Sequence, residues 1–134
     1  MLDKNAIAAA SKVLHDHWRG GTKLTGLDAA QRPHDRNEAY AIQAAIEQYS
    51  SAPLFGWKIA ATSEAGQKHI NVDGPMAGRI LAETVIADGG TASMAGNDMR
   101  VAEPEFAFRM RVDLPPRAAP YSVREVLDAV DTLH

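Results

Sequence analysis

The stretch LFGWKIAA, residues 54–61, decides the fold class. Its alternation predicts a β-strand. Phe55, Trp57, Ile59 and Ala61 fall on one face, and Gly56, Lys58 and Ala60 on the other. Upstream the periodicity changes to that of a helix. Ile7, Ala10, Val13, Leu14 and Trp18 recur at spacings of three and four, which predicts an amphipathic helix over 4–19, stopped by Gly20-Gly21. A polar connection over 22–33 follows. A second helix is predicted from Asp35, its cap, to Tyr49, with Ala39, Ile42, Ile46 and Tyr49 as its buried stripe. His15 and His17 stand two apart and read as surface histidines. Neither helix shows an evident catalytic constellation.

Downstream of the strand, Thr62 or Ser63 is placed to cap a short helix ending near Ile70. NVDGPMAG (71–78) is rich in turn formers and reads as a loop, and RILAETVI (79–86) as a short strand before the Gly89-Gly90 turn. MRVAEPEFAFRMRV (99–112) reads as the longest strand, with Pro104 implying an edge, a bulge or a strand start near it. In SVREVLDAVDTLH, Ser122 and Glu125 form a capping box for a last helix, with no strand after it. The chain is therefore expected to be α+β: an N-terminal helical portion over 1–53, then a strand-rich portion over 54–134.

Composition narrows the function. Hydrophobic residues make up 46 % of the 134 residues, enough to build a core. The net charge is −3 and the chain has no basic run, which disfavours nucleic acid as a partner. Cysteine is absent, so disulfides and thiolate metal sites are excluded. No segment approaches the roughly 20 apolar residues that cross a bilayer, and the N-terminus lacks a signal-peptide pattern. A cytoplasmic protein is expected.

Three groups of residues could carry chemistry. Glu103 and Glu105 share one face of the predicted strand, roughly 7 Å apart at their α-carbons. They could converge on a hard cation such as Mg²⁺ or Mn²⁺, although two solvated glutamates beside Arg109 and Arg111 are the commoner outcome of E-x-E. Lys58 lies between Gly56 and Ala60, which leave room around its amine. It reads either as an acid, base or anion binder or as a lysine snorkelling at a sheet edge. The backbone at Thr62-Ser63 could attract an anion or form an ordinary cap.

Taken together, GWKIAATSEAGQKHINVDGPMAGRIL followed by VAEPEFAF resembles the 2-keto-4-pentenoate hydratase and 4-oxalocrotonate decarboxylase family of the fumarylacetoacetate-hydrolase-like superfamily. That family shows G-x-K-[IV]-[GA]-x-T-S, then V-x-x-P-x-x-G, then a strand bearing E-x-E. The resemblance covers essentially the whole chain. It implies the first part of a mixed β-roll over 54–134, Glu103 and Glu105 as metal carboxylates, and Mg²⁺ or Mn²⁺ as cofactor. It further implies Lys58 as the catalytic lysine and Thr62, Ser63 and Asp73 at the substrate. Asp73 is named because Met76 stands where some members carry an acid.

The implied reaction adds water to a 2-hydroxy-2,4-dienoate to give a 4-hydroxy-2-oxoacid, a step of aromatic meta-cleavage degradation. A decarboxylase or another C–C lyase or hydrolase of the superfamily is the alternative. Family members continue well beyond the segment matched by VREVLDAVDTLH, where their third metal carboxylate lies. The resemblance thus implies a truncated chain, with a homo-oligomer or a partner chain supplying the missing half. A non-catalytic interaction subunit is the reading of a different class.

Overall fold

The computed structural model describes all 134 residues. The chain is α+β, with four α-helices and two separate two-stranded antiparallel sheets. It divides into two compact units, Met1–Gly96 and Asn97–His134.

The first unit opens with α1, Lys4–Gly20. The Asp3 carboxylate accepts from the Ala6 amide at 2.8 Å and starts the helix. Gly21, at φ 62, ends it. The Thr22 amide donates to the His17 carbonyl and the Gly21 amide to the Trp18 carbonyl, a Schellman closure that only the left-handed backbone of Gly21 permits without strain. Asp35 caps α2, Arg36–Ala44, by accepting from the Glu38 amide at 2.9 Å. The expected single helix to Tyr49 tightens to a 3-10 segment over Ala45–Tyr49, because a helix end without a glycine cap satisfies its last carbonyls by narrowing its turns.

The two helices meet through a small core, in which Ala10 and Ile42 are buried. The buried face of α1 is rotated from the one its periodicity predicts: Ser11 is buried, whereas Leu14 and Trp18 are exposed. His15 is not a surface histidine. It stacks on Tyr49 at 4.4 Å between ring centroids and meets Trp18 edge-on. Buried Glu38 ties the N-terminus to α2, its carboxylate accepting from the Leu2 amide at 2.7 Å and the His34 amide at 2.8 Å.

β1, Gly56–Ala60, pairs antiparallel with β2, Met76–Ile80, with Trp57 opposite Arg79 and Lys58 opposite Gly78. β2 thus lies upstream of the expected strand over 79–86 and takes in the end of the expected loop. The ladder stops at Ile80 because β1 offers partners only from Gly56, beyond which the Phe55 amide makes one last bond to the Ile80 carbonyl. Between the strands, Ser63 caps α3, Glu64–His69. The face of β1 bearing Phe55, Trp57 and Ile59 is exposed, and the Lys58 face is the more covered one.

In the second unit the expected long strand over 99–112 shrinks to β3, Phe108–Met110. It pairs antiparallel with β4, Val130–Leu133, through a bulge between Arg109 and Met110. Ala107 adds a reciprocal pair of bonds with His134 at 2.8 and 2.9 Å. Strand geometry needs a neighbour, and β4 reaches no further along the chain than Ala107. Pro104 has no amide to donate in any case. The expected last helix also ends early. α4, Val123–Ala129, runs directly into β4, contrary to the expectation of no following strand. Its capping box is formed as expected. Arg117 grips Glu125 with two bonds of 2.8 Å. This pairing, with the Ser122 amide and hydroxyl, pulls the Glu125 carboxyl down to about 2.

Candidate functional site

A cleft of about 310 Å³ lies between α2 and the β1–β2 pair. Lys58 lies on its floor, at the centre of β1 and opposite Gly78. Ala39, Ala60 and Met76 give it an apolar wall. Ala39, expected in the buried stripe of α2, is exposed and faces this cleft.

α2 is held to β2 by two bonds to one residue. The Ala77 amide donates to the Tyr40 hydroxyl at 3.2 Å, and the Gln43 amide donates to the Ala77 carbonyl at 3.1 Å. The Gln43 carbonyl oxygen then accepts from the Arg79 guanidinium at 2.9 Å. Both backbone groups of Ala77 are thereby satisfied by side chains of α2. Arg36, in the first turn of α2, also lines the cleft and pairs with Asp73 of the turn before β2. α2, in which little chemistry was expected, thus contributes one side of the cleft lining. Arg36, Tyr40 and Gln43 recur at spacings of four and three, the same helical period that marks a buried stripe. That spacing was the available signal.

The sequence-predicted residues are distributed as follows. Lys58 lies in the cleft, and Asp73 reaches it through Arg36. Thr62 and Ser63 are exposed and outside the cleft lining. Ser63 is the cap of α3, its hydroxyl accepting from the Gly66 amide at 3.1 Å. Just before them Ala61 sits at φ 55, a left-handed backbone rare for a residue with a Cβ. Glu103 and Glu105 belong to the second unit, in an exposed segment without regular structure. No group of three or more His, Asp or Glu side chains is arranged to hold a metal ion. The pair is hard oxygen and suits Mg²⁺ or Mn²⁺ in kind, but it is not a full set of protein donors.

A second cleft, of about 250 Å³, includes His15, Trp18, Tyr49 and Glu83. Glu83 accepts from the Ser51 amide at 2.7 Å and the Ser50 hydroxyl at 2.9 Å. These bonds, the Ser51 amide first, lower its carboxyl to about 2.

The chain is similar to a hydratase. A 2-keto-4-pentenoate hydratase of Burkholderia vietnamiensis is 30 % identical over 117 residues, which cover 85 % of this chain and 45 % of that protein. This chain thus spans less than half the length of the curated relative it matches. A match of this length necessarily takes in Lys58, Glu103 and Glu105. No protein-family model matches the chain, and no solved structure matches it significantly. No helix is long and apolar enough to cross a membrane.

Proposed function

We propose that this chain carries part of a metal-dependent hydratase of the 2-keto-4-pentenoate type, which adds water to a 2-hydroxy-2,4-dienoate to give a 4-hydroxy-2-oxoacid. The similarity to the Burkholderia hydratase carries this reading. The cleft supports it by setting one lysine against an apolar wall, as a small unsaturated acid requires. In this reading the two sheets are portions of a mixed β-roll. Lys58 assists the proton transfer that converts dienol to ketone, in which the enol oxygen gives up its proton and a carbon of the diene gains one, a transfer that depends on placing its amine beside the substrate. The apolar wall of Ala39, Ala60 and Met76 seats the carbon chain and keeps bulk water from the wrong face. Asp73 acts at the substrate end of the cleft through Arg36, and Thr62 and Ser63 shape the backbone beside it.

Glu103 and Glu105 would hold the Mg²⁺ or Mn²⁺, with water completing the set. When bound, such a cation supplies Lewis-acid stabilisation of enolate charge. The same reading has the chain associate with a second copy or a partner chain. The exposed apolar face of Phe55, Trp57 and Ile59 supports that part, and a monomer in light scattering counts against it. The cation assignment is tested by calorimetric titration of Mg²⁺ or Mn²⁺ in the presence of oxalate. Binding that oxalate strengthens and Glu105→Ala abolishes is expected. Binding that survives the substitution overturns the assignment.

A further inference from the structure

We draw no further inference here: the strongest candidate, the exposed apolar face of β1 that presents Phe55, Trp57 and Ile59, carries none because nothing in the structure shows what covers it.

Discussion

The side-chain amide of Gln43 donates to the Ala77 carbonyl at 3.1 Å, and this bond fixes α2 against β2 beside Lys58. Gln43→Ala leaves the Ala77 carbonyl and the Arg79 guanidinium each short of a partner. A loss of about 1–2 kcal/mol of stability is expected, seen as a midpoint shift in chemical denaturation. Gln43→Glu should recover part of it, because a carboxylate still pairs with Arg79.

Acid should loosen the junction of α1 and α2 through Glu38. The His34 amide, then the His34 ring and the Leu2 amide, hold its carboxyl at about 2, below the ordinary 4.5. A carboxyl depressed in the folded state stabilises fully above 4.5, and that contribution is lost as pH falls from 4.5 towards 2. Thermal midpoints recorded across this window should fall steeply for the natural chain. In Glu38→Gln they should start lower and fall less, although Glu83 and Glu125, depressed in the same direction, keep part of the slope.

Ala61 carries backbone strain between β1 and the Ser63 cap. A left-handed backbone costs an L-residue about 1–2 kcal/mol, and glycine escapes that cost but gives back part of it in the unfolded chain. Ala61→Gly should therefore raise stability by up to about 1 kcal/mol, whereas Ala61→Val should lower it by about 1–3 kcal/mol. Denaturation midpoints of the two variants check the sign of each.

What could be read in the sequence was local. Asp35 and Ser122 cap helices as expected, because a cap depends on a few neighbouring residues. β1 appears close to its expected place because its alternation lies within itself. The segment 99–112 alternates equally well, yet only Phe108–Met110 is strand, since a strand also depends on what pairs with it. β4 was hidden for the same reason, its residues continuing the helical pattern of α4. Of the cleft, Lys58 was legible from its small neighbours. Arg36, Tyr40 and Gln43 were not, because their role arises only when β2 returns from more than thirty residues away to meet α2.

Hydration of 2-hydroxypenta-2,4-dienoate, followed as loss of dienol absorbance in Mg²⁺ buffer, tests the account most directly. In the assembly that the chain forms with a second copy or a partner chain, Lys58→Met should slow turnover by about 10²-fold or more, the usual contribution of a placed proton-transfer group. Glu103→Ala should lose activity as well. Turnover at an unchanged rate in Lys58→Met would contradict the account.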